Sequence, residues 1–355
     1  MQRIVSLFFL ILVLFFGCYA GNNSGTMQNV TITNWNVQTF FDGNNDGIEY
    51  SEFRKADTWN SELYEQRIGR LCSMIKKFDS DILVMEEIEN EKIIYDISNH
   101  LSENEWFKNK KYLYAAFGKN EGSSIGCAVL SKYKIEDVAF HNIDIRTEKE
   151  KKVGKKKGRK KGEGKMPDLR PIIELTINTD DRCQNGGHSR FKLFVNHWKS
   201  KSGGALESEK WRQWQETVLA GLLKSRNCAE KKREPEFFCI AAGDFNKDIG
   251  EFGRGKGKEL YFTELDECEN KAVNVYSPWN EYENQEKGSY YFNGKWERID
   301  HFFCNRNEGI VKFTVEEEPE IINEDGTPAR YQIFSKSGYS DHLPVTCTIK
   351  LVPDL

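Results

Sequence analysis

Nine short apolar runs, rich in β-branched and aromatic residues, punctuate the chain at residues 30–37, 82–85, 112–117, 125–130, 172–177, 191–196, 237–242, 299–304 and 345–351. Runs of this length and composition read as strands. Two helical patterns lie between them. In residues 61–78 (SELYEQRIGRLCSMIKKF), Leu63, Ile68, Leu71, Met74 and Ile75 fall near helical spacing; in residues 208–224, Trp211, Trp214, Val218 and Leu222 share one side. Strands outnumber helices and no internal repeat is visible. The mix predicts a layered α/β protein whose central sheets are covered by helices, rather than a bundle or an all-β barrel.

Length and composition suit one packed core. A chain of 355 residues with 38% hydrophobic and 13% aromatic residues holds ample apolar material, and fits a single domain of about 300 residues after a leader. The formal net charge of -4 hides an asymmetry. Residues 149–165 (KEKKVGKKKGRKKGEGK) carry ten Lys or Arg against two Glu, so this run holds about +8 and the remainder about -12. A surface this acidic is not a general coat for nucleic acid. Contact with a polyanion has to come from the basic run, from a metal, or from a focused cleft.

Residues 1–18 read as a leader. Arg3 precedes a thirteen-residue apolar stretch at 4–16, short for a bilayer span and right for a signal h-region. Its end resembles a bacterial lipoprotein box at Phe15-Phe16-Gly17-Cys18, which implies a lipid anchor on Cys18. Cys18-Tyr19-Ala20 offers an ordinary signal-peptidase site instead. Export to the periplasm, the cell surface or the medium is expected, with residues 19–27 as a polar tether and residues 28–353 as the domain carrying the basic insert at 149–165. Without Cys18 the nine cysteines become eight. Cys127 and Cys239 lie in apolar runs and read as buried thiols, whereas Cys183 and Cys228 lie in polar segments and are the better disulfide candidates. No CxxC pair exists to suggest zinc.

Loops are expected at residues 42–57, across the basic run, and at 250–257. The first begins like a calcium loop at Asp42, Asn44 and Asp46, but its twelfth position is Phe53, and Glu49 and Glu52 are out of phase. It reads as an acidic surface loop, with a structural Ca²⁺ as the alternative.

Six segments end strand-like runs with residues that bind metals or move protons: TNWNV (33–37), ILVMEE (82–87), VNHWKS (195–200), AGDFN (242–246), ERIDH (297–301) and SDH (340–342). Polar groups at strand ends can be aimed into one cleft from rigid backbone. Singly, each has an ordinary explanation. Asn36 could cap a turn, Glu87 could pair with a Lys, Asp244 and Asn246 could form an Asx turn, and His197 could be a satisfied structural histidine. Six such termini in one chain are hard to obtain by surface decoration.

In their order and wording the six segments resemble the endonuclease/exonuclease/phosphatase superfamily, the deoxyribonuclease I-like fold. The match runs from residue 30 to 348, and the wording around Phe41-Asp42, Gly203-Gly204 and Gly288-Ser289-Tyr290 is closest to a bacterial extracellular nuclease-like branch. The resemblance implies a four-layer α/β sandwich of two central mixed β-sheets flanked by helices. It also implies that Asn36, Glu87 and Asp341 hold Mg²⁺ or Mn²⁺. His342, oriented by Asp300, would activate water for in-line attack, with Asp244 as the alternative base. Asn246 and His197 would bind the phosphate or assist the leaving group, and Arg170 would face the substrate. Lys199 and His301 neighbour these positions, and strand alternation could point them away.

Substrate is the least constrained point, because chemistry is shared across the superfamily. A nuclease acting on DNA, or RNA, is expected, with the basic insert as a phosphate-holding arm. A phospholipid or sphingomyelin phosphodiesterase is the alternative, its candidate membrane contact being Tyr290-Tyr291-Phe292 beside Trp296. A catalytically silent surface binding protein is another. The membrane otherwise enters only through the lipid anchor, and no protein partner is implied.

Overall fold

The structure is a computed structural model that describes residues 28–351 apart from 56–58, 103–111, 146–165, 180–189, 228–237, 256–258, 266–269, 283, 285 and 307–308. The leader, the basic insert, Cys18, Cys183 and Cys228 therefore lie outside the described residues.

In chain order the elements are β1 (Gln28–Phe40), α1 (Ser61–Phe78), β2 (Ile82–Ile88), α2 (Glu91–Ser102), β3 (Tyr114–Gly118), β4 (Gly126–Ser131), β5 (Lys134–His141), β6 (Ile172–Asn178), β7 (Arg190–His197), α3 (Ala205–Asn227), β8 (Phe238–Asp244), β9 (Gly253–Arg254), β10 (Leu260–Leu265), β11 (Asn270–Val275), β12 (Tyr290–Phe292), β13 (Lys295–Glu297), β14 (Asp300–Cys304), β15 (Ile310–Val315) and β16 (Val345–Leu351). Two large sheets result, a six-stranded one in the order β15-β16-β1-β2-β4-β3 and a five-stranded one in the order β14-β8-β7-β6-β5. Each has one parallel pair at its heart, β1 with β2 and β7 with β8, and antiparallel neighbours around it, so both are mixed.

The sheets face each other: β1 and β2 contact β8, β4 contacts β7, and β16 contacts β14. Central strands buried on both faces are mostly apolar, which is why β4 and β8 read as continuous runs, while β6 and β7 bury one charge each, Glu174 and Lys192, paired at 3.0 Å. Helix α1 covers the outside of the six-stranded sheet. Asn60 caps its N-terminus by accepting from the Leu63 N–H, and the helix packs Phe78 against Trp35 and Tyr64 against Phe40, with ring centroids 5.8 and 6.4 Å apart. With Trp35 facing outward, alternation turns Asn34 and Asn36 inward, toward the other sheet. Outside the five-stranded sheet, Trp198, Phe245, Phe252, Phe262 and Phe303 form an aromatic layer. Helix α3 adjoins it, packing against β10 and β11. The expected four-layer α/β sandwich is the fold observed.

The expectation at residues 250–257 needs correction, since a 3-10 turn at Ile249–Glu251 and the two-residue strand β9 fall there. The segment from residue 42 is the expected surface loop, with Asn44, Asn45, Asp46, Gly47, Tyr50, Ser51, Glu52, Arg54 and Lys55 exposed, and buried Asp42, Glu49 and Phe53 anchor it. Asp42 accepts from Asn90 Nδ2 and Asn44 N, and Glu49 accepts from the Asp46 and Gly47 N–H groups at 2.7 and 2.9 Å. Carboxylates of Asp46, Glu49 and Glu89 come within 4.8 Å of one another, a different set from the one a calcium-loop spacing suggests.

Candidate active site

Both parallel pairs end at the same edge of the sandwich. Asn36 of β1 lies beside Glu86 of β2; His197 of β7 lies beside Asp244 of β8; Asp300 opens β14 directly opposite Asp244. Because β16 starts at Val345 opposite Asn34, the preceding residues 340–342 pass just beyond Asn36. Topology alone thus gathers six sequence-distant segments.

Irregular backbone refines the aim. The β1–β2 register shifts between Asn36 and Phe40, and Gln38, Thr39 and Glu87 have positive φ of 53°, 42° and 66°. Such conformations are strained for residues other than glycine and persist where the surroundings hold them. Arg67 of α1 supplies the hold here, donating to the carbonyls of Val37 (2.9 Å), Gln38 and Thr39 (3.0 Å). The Thr39 N–H then donates to Glu87 Oε2 at 2.5 Å. On β8, Gly243 at φ +149° lies so close to β7 that a Cβ would meet the Asn196 carbonyl oxygen at 1.9 Å. Only glycine lets the pair close next to Asp244.

The side chains form one connected cluster. Asn36 Nδ2 donates to Asp244 Oδ2 at 3.1 Å and to Glu87 Oε1 at 3.3 Å. His197 Nε2 lies 3.7 Å from Asp244 and 3.9 Å from Glu87. Asn246, at φ +47°, donates to Asp244 through its N–H (2.8 Å) and its Nδ2 (3.0 Å). Opposite them His342 Nδ1 meets Asp300 Oδ2 at 2.8 Å, and Ser289 Oγ donates to that same oxygen at 2.6 Å. Ser340 donates from Oγ to Asn36 O and accepts the His342 N–H, tying the His342 segment to β1.

Burial sets the protonation states. The Asp244 carboxyl is pushed up to about 7, by burial first and then by Asp300, with His342 opposing. Burial, reinforced by the Arg170 charge, holds His197 well below the ordinary histidine range, so its imidazole is neutral. Burial also opposes charge on His342, but Asp300 outweighs it and, with Asp244 and Asp341, holds His342 well above that range.

Of the nine residues singled out by sequence, Asn36, Glu87, His197, Asp244 and Asn246 form one contact group, with Asp300 and His342 as a pair across from it. Asp341 stands on the rim. It faces Arg330, 4.0 Å away, and no hydrogen bond or ion pair joins it to Asn36 or Glu87 among the described residues. Arg170 hydrogen-bonds the Tyr50 hydroxyl and lies close enough to depress His197 and Lys199. His301 points away, as alternation suggested: it is fully buried, bonds Lys247 O through Nε2 at 2.8 Å, and packs among Phe245, Phe252 and Phe303.

Sequence reasoning passed over Glu86, Ser289, Ser340, Tyr50 and Tyr290. Glu86 is fully buried between the sheets with no hydrogen-bond partner on either oxygen, and burial, with Asp300 and Asp244, holds its carboxyl well above the usual range. The signal was its place in the segment ending at Glu87. Ser289 and Tyr290 stood in a quoted motif, and the Tyr290 ring lies 4.6 Å from that of His342.

A model of the endonuclease/exonuclease/phosphatase family matches residues 183–350. TDP2 from Caenorhabditis elegans superposes with a TM-score of 0.53 at 15% identity, covering 91% of this chain and 74% of that one. An endonuclease/exonuclease/phosphatase family protein from Bacteroides thetaiotaomicron gives 0.54 at 14% identity, covering 92% and 96%. At this identity the likenesses speak to the fold. No curated protein sequence matches the chain. The family model thus matches the C-terminal part of the chain, and the fold of the whole is the one these neighbours share.

Proposed function

We propose that this protein is a divalent-metal-dependent phosphodiesterase acting on nucleic acid. The observation that carries the reading is the convergence of Asn36, Glu87, His197, Asp244, Asn246, Asp300 and His342 at one edge of two facing sheets.

The donor set fits a hard cation. Glu87 and Asp244 share the Asn36 amide and, among the described residues, neither is ion-paired to a Lys or Arg; oxygen donors of this kind suit Mg²⁺ or Mn²⁺. Glu87 and Asn36 would hold the ion, with Asp341 reaching in from the rim. A metal bound there neutralises charge on the scissile phosphate and on the leaving oxygen.

The rest falls to the chain's own groups. Asp300 fixes His342 Nδ1 and leaves Nε2 to exchange a proton with water or a phosphoryl oxygen. Asp244 is a second proton-handling group beside it. Neutral His197 and the Asn246 amide orient the phosphate or the attacking water, and Arg170 adds charge at the margin.

The leader at residues 1–18 supports export as part of this reading. Plasmid DNA, single-stranded RNA, a phosphomonoester and sphingomyelin vesicles, each assayed with Mg²⁺, test the substrate class. Cleavage of polynucleotide is the expected outcome. Hydrolysis of the lipid alone would replace nucleic acid with phospholipid as substrate.

A further inference from the structure

Beside the catalytic cluster the β12–β13 hairpin carries an aromatic array that the chemistry above does not use. Tyr290 and Phe292 project from one face of β12, their rings 6.1 Å apart and within 17° of parallel. Tyr291 takes the other face and packs edge-on against Trp296 at 5.2 Å. Tyr290 also leans over His342, its ring centroid 4.6 Å from the imidazole and tilted by 35°. Rings therefore step outward from His342 to Tyr290 and then to Phe292, which is 54% exposed. The open cleft there is lined by all three hairpin aromatics, Tyr290, Tyr291 and Phe292, together with Pro328, Arg330 and Asp341 among others.

The array is firmly mounted. A bridge pairs Tyr290 with His342, and the Leu343 N–H donates to Ser289 O at 2.7 Å, so the hairpin is fixed relative to the histidine. Across the cleft the Tyr339 N–H donates to Ala329 O at 2.7 Å. Gly338, at φ +86°, lies so close to Arg330 that a Cβ would meet its carbonyl oxygen at 2.1 Å. The Arg330 side chain is 61% exposed, with Asp341 4.0 Å away.

We propose that this face is a base-stacking subsite: Phe292, backed by Tyr290, takes an unstacked nucleobase next to the scissile phosphate, and Arg330 takes a neighbouring phosphate. The proposal rests on the nucleic-acid reading above and names a single-stranded or locally opened polynucleotide as the preferred substrate. An aromatic face outside a basic groove stacks any base, whereas a base in an intact duplex has no free π-face to offer. A bilayer is the poorer occupant, because the hairpin tip is the polar pair Asn293-Gly294 followed by exposed Lys295.

The test is steady-state cleavage with Mg²⁺ of a single-stranded oligodeoxynucleotide and of an equally long strand whose bases are all replaced by tetrahydrofuran units, by the wild type and by Phe292→Ala. Phe292→Ala is expected to raise KM for the natural strand about tenfold with kcat changed less than twofold, since base–aromatic stacking is of that size. The abasic strand is expected to raise the wild-type KM by a similar factor, the two losses not adding, and Phe292→Trp to restore KM. Cleavage that continues with unchanged KM, or with additive losses, overturns the subsite and leaves the nuclease reading intact. A wild type that cleaves no polynucleotide but hydrolyses sphingomyelin vesicles overturns both.

Discussion

Asp300 and His342 form the most sharply defined pair in the molecule, buried and 2.8 Å apart with Ser289 fixing the carboxylate. Replacing Asp300 with Asn keeps the shape but removes the charge that holds the imidazole. A fall in kcat of a hundredfold or more is expected from Asp300→Asn or His342→Ala, with unchanged circular dichroism. Equal loss of kcat and of secondary structure would instead mark the pair as structural. The residue types and motif order that brought these groups together were legible in the sequence. Motif resemblance singled out Glu87 over Glu86, but strand alternation alone could not say which of the two faces the cleft, because the positive φ of Glu87 breaks the alternation. Nor could sequence reveal that Asp341 turns to the rim toward Arg330.

At the scale of elements, Arg67 joins α1 to the kink that aims Glu87. Its guanidinium lies over the rings of Phe40 and Tyr331 at 4.4 and 3.9 Å and donates to three consecutive carbonyls. Arg67→Ala leaves those carbonyls buried without donors, which costs about 3 kcal/mol or more. A drop in Tm of roughly 10 °C is expected by thermal melting, together with lost activity; an unchanged Tm would mean that the kink holds itself. His301 makes β14 sensitive to acid. Burial pushes it down to about 4 from 6.5, so it folds neutral, and protonation is easier in the unfolded chain. Stability from this group is complete above pH 6.5 and drains as pH falls toward 4, by about 3 kcal/mol. Denaturant midpoints for His301→Phe should be flatter across that window than those of the wild type. Strands buried on both faces were readable because their runs are dominated by apolar residues, even where β6 and β7 bury the Glu174–Lys192 pair. Edge strands β5 and β15 and the hairpin β10–β11 were not, since half-exposed strands mix charges into the pattern. Helix α2 was missed although Ile93, Ile94, Ile97 and Leu101 carry a helical period.

For the whole molecule, the two facing sheets decide where chemistry can occur. The basic run at 149–165 is the main positive feature of an otherwise acidic chain. Deleting residues 151–161 should weaken DNA binding and flatten its dependence on salt while leaving metal-dependent hydrolysis of a small diester in place; an unchanged salt slope would make the run a passive loop. The central claim is that one metal-dependent centre, built on Asn36, Glu87, Asp244 and the His342–Asp300 pair, hydrolyses phosphodiesters. Nicking of supercoiled plasmid tests it most directly, run with Mg²⁺, with EDTA, with EDTA followed by excess Mg²⁺, and with His342→Ala. Nicking that requires Mg²⁺, returns on its re-addition and falls at least a hundredfold in the variant is the expected result; nicking that survives EDTA, or proceeds unchanged in His342→Ala, would contradict it.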